Sequence, residues 1–208
     1  NGSQMGPKWV LDGSKMGPKW VPNGSYMGPT WVQNWAKMDP KWVLNRSNQT
    51  GGGRGVGKGI SLSLAAAGAS VAVNYRRDEE SAAETVREIE ALGGKAIAFS
   101  ASVDDYEQNA QMVADIERDL GPVSILVNNA GIASRGRSVV DTDPEEMRRV
   151  VATHAFGPHY LAALTLPKMR TLGRGDIIMI SSGATRSLGP NGAPYNMGKT
   201  AMEALAYT

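Results

Sequence analysis

The residues best suited to acid–base chemistry lie near the end of the sequence. Tyr195 and Lys199 are four positions apart, so in a helix they share one face. A tyrosine hydroxyl with its ordinary pKa of about 10 is a poor acid or base at neutral pH. A lysine ammonium one helical turn away favours the phenolate, so the pair indicates a tyrosine that gains and loses a proton. Taken singly, the two residues also suit structural roles, as a packed tyrosine and a solvated lysine.

A glycine-rich segment lies far upstream, where Thr50–Gly57 reads Thr-Gly-Gly-Gly-Arg-Gly-Val-Gly and leads into an Ala/Leu-rich helical pattern. Glycines at such a turn let backbone N–H groups approach a pyrophosphate at the positive end of the helix dipole. On its own such a loop is a weak signal. It offers a candidate phosphate site whose residues are Thr50, Gly51, Arg54, Gly55 and Gly57.

Strand-like and helical patterns alternate from the glycine-rich segment onward. Strands are predicted at Ser70–Tyr75, Lys95–Ser100, Val123–Val127 and Asp176–Ser182. Helices are predicted from the glycine-rich turn to near Gly68, from Asp78 to Leu92, from Tyr106 to Leu120, from Asp143, and from near Ala193. This alternation indicates an α/β fold with a parallel sheet that helices cover on both faces.

The helix that opens at Asp143 begins with a capping signature. Asp143 suits the N-cap position, and Pro144 suits the first helical position. Glu146, three residues after Asp143, suits the reciprocal bond of a capping box.

Residues 1–44 consist of four copies of an eleven-residue unit, the first of which reads Asn-Gly-Ser-Gln-Met-Gly-Pro-Lys-Trp-Val-Leu. A proline inside a helix costs about 3 kcal/mol, and its presence in every unit excludes a helical repeat. Each unit is predicted to form a turn, a Met-Gly-Pro bend and a short extended piece such as Lys8–Val10. Two interpretations stay open: a tandem duplication without function, or a tryptophan-mediated stack or interaction arm.

Composition narrows the class of protein. The 208 residues are 41% hydrophobic and 20% charged, and no apolar run is long enough to span a membrane. With no cysteine and two histidines, the sequence excludes a disulfide scaffold, Cys-ligated zinc and thiol catalysis, and it suggests no metal cluster. The net charge of +2 comes without a long Lys/Arg tract, which argues against a nucleic-acid partner. No secretory signal introduces the chain, so a soluble cytoplasmic protein is expected.

Two further segments complete a recognisable set. Asn128–Gly131 reads Asn-Asn-Ala-Gly, and Ser182, the second member of a serine pair, precedes Tyr195 by thirteen positions. In this order and spacing, with the glycine-rich turn and the Tyr195/Lys199 pair, they resemble the classical short-chain dehydrogenase/reductase family over about residues 50–208. The resemblance implies a Rossmann-like doubly wound parallel sheet. It divides the chain into 1–49, a repeat segment that is not an independent domain, and 50–208, a partial dinucleotide-binding domain.

The resemblance also implies roles for individual residues. Tyr195 is the general acid in ketone reduction and the general base in the reverse reaction. Lys199 bonds the nicotinamide ribose, and Ser182 holds the substrate oxygen while hydride passes to the carbonyl carbon. Beyond the glycine-rich turn, cofactor contacts are expected from Asn128, Ala130, Gly131, Tyr195 and Lys199.

The residues at the end of the second predicted domain strand indicate which cofactor is used. A protein that reads a free 2′-hydroxyl places Asp or Glu there, but Tyr75 occupies the family's Asp position. Arg54 and Arg76 can both reach a 2′-phosphate, which suits a guanidinium. NADP(H) is therefore the predicted cofactor. The alternative is that Arg76 and Arg77 form a solvated helix start beside Asp78.

Four features depart from the family pattern. His154 stands where the family usually has an Asn that helps a proton relay, so it is either an altered relay residue or a packed histidine. Ser102 replaces an Asp that often touches adenine, which predicts modestly weaker binding. Asn45–Gln49 is polar, whereas a buried first strand is normally apolar. Trp42–Leu44 is an alternative first strand, but its connection to the glycine-rich turn would be too long. The sequence also stops in the Tyr195 helix, so the sheet is expected to be incomplete at both ends of the family pattern, with an uncovered edge.

Together these features predict an NADP(H)-dependent oxidoreductase that acts on a small-molecule carbonyl or secondary alcohol, with a 3-oxoacyl thioester as one candidate. The alternative is a non-catalytic protein in which a reductase-derived domain supports the repeat arm for assembly or binding. No nucleic-acid or membrane partner is expected. A homo-oligomer is expected, packed through the long helix after Asp143 and the Tyr195 helix.

Overall fold

The computed structural model describes residues 6–12, 15–21 and 46–208. The chain divides into two compact units, residues 1–38 and residues 39–208. In the first unit, β1 (Gly6–Asp12) and β2 (Lys15–Val21) pair as antiparallel strands, with Gly6 opposite Val21 and Asp12 opposite Lys15.

The predicted Met-Gly-Pro bend is wrong for the second copy of the repeat, because Met16, Gly17 and Pro18 lie within the extended β2. Both strands of a two-stranded sheet are edge strands, where the missing N–H group of a proline is tolerated. The third and fourth copies, which include Trp42–Leu44, lie outside the described residues, as do the side chains of β1 and β2. The predicted tryptophan stack therefore stays a prediction.

Within residues 46–208, the second unit is built on a five-stranded parallel sheet. Its strands are β3 (Arg46–Gln49), β4 (Ser70–Tyr75), β5 (Lys95–Ser100), β6 (Ile125–Asn128) and β7 (Asp176–Met179). In space they run in the order β5-β4-β3-β6-β7. The order reverses between β3 and β6, and ligands of open α/β sheets bind at such a switch point, outside the carboxyl ends of the strands.

Over the same range, the helices are α1 (Gly55–Ala66), α2 (Glu79–Ala91), α3 (Tyr106–Asp119), α4 (Pro144–Val151), α5 (Gly157–Leu172) and α6 (Ala193–Leu205). A π-helical turn, Ala152–Phe156, joins α4 to α5. The strands predicted at 70–75 and 95–100 match β4 and β5, whereas β7 ends at Met179 instead of Ser182. Among the described residues, no helix combines the length and the apolar character needed to cross a membrane.

Alternate residues of β4 face opposite sides of the sheet and belong to two separate cores. On one side, Val71 and Val73 pack with residues of α1 and α2, among them Ala65 and Ile89. On the other side, Ala72 shares a cluster with residues of β6, α3 and α5, among them Leu126, Ile116 and Leu161. Helices therefore cover both faces, which confirms the doubly wound α/β fold.

The structure corrects the expectation that the polar segment before Thr50 is unfit for a buried strand. Arg46–Gln49 forms the middle strand, in which Asn48 lies between Ala72 of β4 and Leu126 of β6. The strand forms because its backbone N–H and C=O groups pair with both neighbours whatever the side chains are. The side chains of Ser47 and Asn48 are buried, and among the described residues their polar atoms have no hydrogen-bond partner.

The capping signature of α4 is confirmed only in part. The carboxylate of Asp143 accepts a hydrogen bond from the N–H group of Glu145 at 2.9 Å, and Pro144 is the first helical residue. Glu146 does not return a bond to Asp143, since its buried carboxylate accepts from the N–H group of Arg135 at 2.6 Å and from Ser134 Oγ at 3.1 Å. Glu146 is directed to the preceding loop, whose two donors both bind its Oε1 atom.

Candidate active site

The turn between β3 and α1 is shaped by glycines at positions where a side chain does not fit. Gly51 and Gly55 have φ angles of 60° and 54°, in the left-handed region that favours glycine. A Cβ atom on Gly57 would overlap the carbonyl oxygen of Gly51 and would lie 2.8 Å from Nδ2 of Asn129. The turn thus brings backbone close to the start of α1, whose first N–H groups have no partner within the helix. This arrangement suits an anionic ligand.

Gly57→Ala is expected to lower the free energy of unfolding by about 1–3 kcal/mol, because the new methyl group is forced against backbone. Gly59→Ala is the matched control in the same helix, since a Cβ at Gly59 meets nothing within 4 Å. That change is expected to raise the free energy of unfolding by about 0.5–1 kcal/mol. Urea unfolding of the two variants checks the pair, and changes of the same sign and size would contradict the geometry described for Gly57.

Thr50 ties the glycine-rich turn to the end of β6. Its hydroxyl donates to the carbonyl oxygen of Val127 at 3.1 Å and accepts from the N–H groups of Asn129 at 2.8 Å and Ala130 at 2.9 Å. The Asn129 side chain donates in return to the carbonyl oxygens of Thr50 at 3.0 Å and Gly51 at 3.3 Å. Thr50 is buried, and through these hydrogen bonds it fixes the position of the turn relative to the end of β6.

Asn74 fixes the same turn from the other side. The N–H group of Gly51 lies 3.4 Å from Oδ1 of Asn74, and the N–H group of Gly52 donates to the Asn74 carbonyl oxygen at 3.0 Å. Nδ2 of Asn74 donates to the carbonyl oxygens of Ala101 at 3.0 Å and Phe99 at 3.3 Å. The signal in the sequence is a single amide residue at the end of the otherwise apolar run of β4.

A cavity of about 770 Å³ opens at the carboxyl ends of β3, β4 and β5. Its lining includes the glycine-rich turn, Tyr75, and the cationic residues Arg54, Arg76, Arg77 and Arg149. The Arg54 guanidinium lies 3.7 Å from the carboxylate of Asp78. Hydrogen bonds from Ser81, with the charge of Arg54 as a smaller cause, hold the pKa of Asp78 below its ordinary value.

Ser102, which replaces the Asp expected near adenine, also lines this cavity. Its hydroxyl donates to the carboxylate of Asp104, and its N–H group donates to Oε1 of Gln108 at 2.9 Å. Asp104 lines the cavity as well. A carboxylate is therefore present beside Ser102, two residues later than the family pattern has it.

A second cavity, of about 510 Å³, adjoins the first and shares with it Val56, Asn129, Gly131 and Ile132. Tyr195, Lys199, His154 and Ser181 line it. Ser182 is not part of this lining, and its Oγ accepts a hydrogen bond from the N–H group of Ala184 at 3.2 Å.

Tyr195 and Lys199 lie one turn apart on α6. Nζ of Lys199 is 6.0 Å from the centre of the Tyr195 ring and donates to the carbonyl oxygen of Ile180 at 2.5 Å. Lys199 is 4% exposed. Burial lowers the pKa of Lys199 to about 8, so its ammonium group releases its proton at a lower pH than an exposed lysine does.

The buried Lys199 predicts a pH-dependent stability. Between pH 8 and the ordinary lysine pKa of 10.5, Lys199 keeps its proton in the unfolded chain but has released it in the folded chain. The contribution of Lys199 to the free energy of unfolding therefore rises with pH in this range. The wild type is therefore expected to gain stability relative to Lys199→Met when urea unfolding is compared at a pH well below 8 and a pH between those two values. Lys58→Met is the control, because its bond to Glu88 raises the pKa of Lys58 above 10.5 and outside this window. An equal pH response in wild type and Lys199→Met would contradict the prediction.

His154 lies in the π-helical turn and is packed edge-to-face against Tyr195, with ring centres 5.1 Å apart. Its Nε2 is 2.8 Å from the carbonyl oxygen of Ile132. Cβ atoms on Gly131 and Gly198 would lie 2.6 Å and 2.8 Å from His154 atoms, so both glycines make room for this side chain. Burial, and to a smaller extent the charge of Lys199, lowers the pKa of His154 although its bond to Ile132 opposes this. The histidine is therefore neutral at neutral pH, and it contacts the tyrosine directly.

The family of the chain is decided by a match along its length. The model of the short chain dehydrogenases matches residues 49–208. The chain belongs to the short chain dehydrogenase family. The matched range covers the glycine-rich turn, both cavities and α6.

Relatives and solved structures agree with this assignment. Versicolorin reductase 1 of Aspergillus parasiticus is 39% identical over 155 residues, which are 74% of this chain and 58% of that protein. Trihydroxynaphthalene reductase of Colletotrichum orbiculare is 33% identical over 155 residues, 74% of this chain and 54% of that protein. The crystal structure of a metagenomic short-chain oxidoreductase in complex with NADP matches with a TM-score of 0.75 and 30% identity, covering 78% of this chain and 73% of that one. The chain thus spans somewhat more than half the length of these two curated relatives.

In this short chain dehydrogenase, most residues predicted from the sequence line one of the two cavities. The first cavity contains Gly51, Arg54, Gly55, Gly57, Arg76, Ala130 and Gly131, and the second contains His154, Tyr195 and Lys199. Thr50, Asn128 and Ser182 lie outside both linings. Asn128 is buried at the end of β6, with Nδ2 3.3 Å from Sδ of Met179, and its neighbour Asn129 faces the cavities instead. Sequence reasoning missed the positioning roles of Asn74 and Asn129.

Proposed function

We propose that this short chain dehydrogenase is an oxidoreductase that uses NADP(H) to transfer hydride to and from the carbonyl carbon of a small molecule. The observation that carries the proposal is the junction of the two cavities, one lined by the glycine-rich turn and the other by Tyr195 and Lys199. Because they share Asn129, Gly131 and Ile132, a ligand held in the first cavity borders the second.

The residues of the first cavity fit a dinucleotide. The space that a Cβ on Gly57 would fill is kept clear at the positive end of α1, where backbone N–H groups suit a pyrophosphate. When bound, the cofactor supplies or accepts the hydride. This chain would hold it through the glycine-rich turn, Arg76, Asn129 and Lys199.

Tyr195 and Ser182 would contact the substrate oxygen, and Lys199 would act on it through Tyr195. Tyr195 donates a proton to the oxygen in the reduction and removes it in the reverse reaction. The ammonium of Lys199 favours the phenolate of Tyr195. Ser182 directly follows Ser181, which lines the second cavity. The Oγ of Ser182 accepts from the N–H group of Ala184, which leaves its hydrogen free to donate to a substrate that extends to the end of this cavity. His154, neutral and against the Tyr195 ring, holds that ring in place and does not have to titrate.

A preference for NADP(H) over NAD(H) is supported by charge. Arg76 is exposed at the rim of the first cavity, and Tyr75 stands where an acid would read a free 2′-hydroxyl. Arg54 is partly balanced by Asp78, whereas Arg76 directly follows Tyr75 and is the guanidinium proposed for a 2′-phosphate. A related solved structure of a short-chain oxidoreductase is a complex with NADP.

Thermal unfolding with NADPH, with NADH and without cofactor tests the proposal. A ligand at a hundredfold excess over Kd stabilises the folded chain by about 2.7 kcal/mol, which raises the midpoint by several degrees. We expect the larger shift with NADPH, and we expect Arg76→Ala to lose that difference while Arg87→Ala, an exposed arginine of α2 outside both cavities, keeps it. An equal or larger shift with NADH would overturn the NADP(H) preference. A cooperative melt with no shift from either would favour the non-catalytic alternative.

The substrate is proposed only as a class. Two relatives are named as reductases of versicolorin and of trihydroxynaphthalene, and a 3-oxoacyl thioester is the further candidate from the sequence. A screen that sets a polyhydroxylated aromatic ketone against a 3-oxoacyl thioester, with NADPH consumption as the readout, separates the two. Homo-oligomer formation and a cytoplasmic location stay predictions from the sequence.

A further inference from the structure

The carboxylate of Glu203 on α6 contacts hydroxyl groups on both sides of Ser182 in the chain. The Ser181 hydroxyl donates to Oε1 of Glu203 at 2.5 Å, and the Thr185 hydroxyl lies within donating distance of the same oxygen at 2.9 Å. These donors stand one residue before and three residues after Ser182. One side chain therefore holds the whole segment from Ser181 to Thr185.

The orientation of Ser182 depends on that segment. Ser182 caps the short 3-10 turn Gly183–Thr185, where its Oγ accepts from the N–H group of Ala184 at 3.2 Å. The hydroxyl of Thr185 lies 2.9 Å from the Ser182 carbonyl oxygen, and its N–H group donates to that oxygen at 3.2 Å. The direction of the Ser182 hydroxyl is thus set by a turn whose last residue is held by Glu203.

The same helix carries Tyr195, Lys199 and Glu203 at intervals of four residues. Residues at this spacing follow one face of an α-helix, so the three side chains are directed to the same side of α6. Because a helix is a rigid element, the Glu203 carboxylate has a fixed position relative to the Tyr195 hydroxyl. Lys199, which also reaches this segment through the Ile180 carbonyl oxygen, is engaged in the proposed reaction. Glu203 also contacts the segment, but it has no part in the proposed reaction.

Glu203 carries its charge at neutral pH. Partial burial acts to raise its pKa, but the hydrogen bonds from Ser181 and Thr185 and the charge of Arg186 together hold the pKa of Glu203 below its ordinary value. Hydrogen bonds to an ionised carboxylate are shorter and stronger than neutral ones.

We propose that Glu203 is a positioning residue, which holds Ser182 at a set place relative to Tyr195. The proposal rests on the proposed function, in which Ser182 and Tyr195 act on one substrate oxygen. It deepens that function by naming the group that aligns the two, and no direct contact of Glu203 with substrate or cofactor is involved.

The first test is steady-state kinetics of Glu203→Gln, Ser181→Ala and the double variant, with NADPH and a ketone that the wild type reduces. Glu203→Gln is expected to lower kcat about 10- to 100-fold, as the loss of a charge-assisted bond predicts, while KM and the Kd for NADPH stay unchanged. The double variant is expected to be no slower than Glu203→Gln, because both changes remove the same bond. The matched control is Glu90→Gln, an exposed glutamate of α2 outside both cavities, which should behave as wild type. An unchanged kcat, or additive losses in the double variant, would overturn the proposal.

The second test does not depend on turnover. Amide hydrogen exchange is measured over residues 180–187 in wild type and Glu203→Gln without substrate, and faster exchange confined to this segment is expected in the variant. If no ketone is reduced even by the wild type, the proposed function fails, and this exchange alone decides whether Glu203 holds the segment. Ser181→Ala, which keeps the carboxylate and removes the Ser181 hydroxyl that donates to it, gives the same readout should Glu203→Gln not fold. Exchange equal to that of the wild type would contradict the role of Glu203.

Discussion

Asn48→Val is expected to raise the free energy of unfolding of this short chain dehydrogenase by about 1–3 kcal/mol, the range for an unsatisfied buried polar group. Asn48 is fully buried in the middle strand β3, and both polar atoms of its side chain lack a partner among the described residues. Its cross-strand neighbours, Ala72 and Leu126, belong to the apolar core on one face of the sheet. A β-branched apolar residue removes the unpaired amide and suits a parallel strand that is buried on both faces.

Asn74→Val is the matched control, for which the opposite change in the free energy of unfolding is expected. Asn74 is also a buried strand asparagine, but its amide is hydrogen-bonded to the backbone at Ala101 and lies near the Gly51 N–H group. Asn74→Val therefore leaves backbone groups unpaired and is expected to lower the free energy of unfolding. Urea denaturation of both variants, with the midpoint and the slope analysed separately, measures the two changes. A loss of stability in Asn48→Val would show that the amide has a partner in the folded chain.

Tyr195→Phe is expected to lower kcat for carbonyl reduction by about 10²- to 10⁴-fold, the usual contribution of a positioned general acid. The phenylalanine ring keeps the edge-to-face packing against His154, whose centre is 5.1 Å away, so the fold and the cavity shape are expected to survive. NADPH-induced thermal stabilisation is expected to stay, because the first cavity is lined by other residues. The measurement pairs the rate of NADPH consumption with the thermal shift for the same preparation.

Tyr207→Phe is the matched control, because Tyr207 is 66% exposed and lies outside both cavities. It is expected to retain the wild-type rate and the wild-type response to NADPH. If Tyr195→Phe reduced the ketone as fast as this control, another group would be the proton donor, and the role proposed for Tyr195 would be wrong.

Periodic sequence patterns predicted most secondary-structure elements of the second unit. The residues of β4 and β5 matched their predicted bounds, and α2 and α3 began within one residue of prediction, at Glu79 and Tyr106. The signals concerned are local, since strand and helix periods, caps and glycine stops depend on neighbours in the chain. The Tyr195/Lys199 pair was readable for the same reason, because a four-residue spacing on a helix brings two side chains to one face.

Hydrogen-bond partners that come from distant parts of the chain were not readable in this way. Glu146 has the spacing of a capping box, yet it is buried and bonds to the loop at Ser134 and Arg135. Asn128 and Asn129 are adjacent and identical in type, but Asn128 is the buried last residue of β6, whereas Asn129 follows the strand and lines the cavities. The contact of Glu203 with Ser181 and Thr185 likewise requires α6 to lie against the end of β7.

The sequence by itself determined the alternating α/β pattern, the glycine-rich turn and the spacing of the candidate acid–base residues. Only the tertiary structure decided that the polar residues Arg46–Gln49 form the middle strand. Their side chains argue against burial, but the segment lies directly before Thr50 and its backbone groups pair with the edges of both β4 and β6. Strand position is set by backbone hydrogen bonds between segments far apart in the chain, and side-chain patterns record those bonds only indirectly.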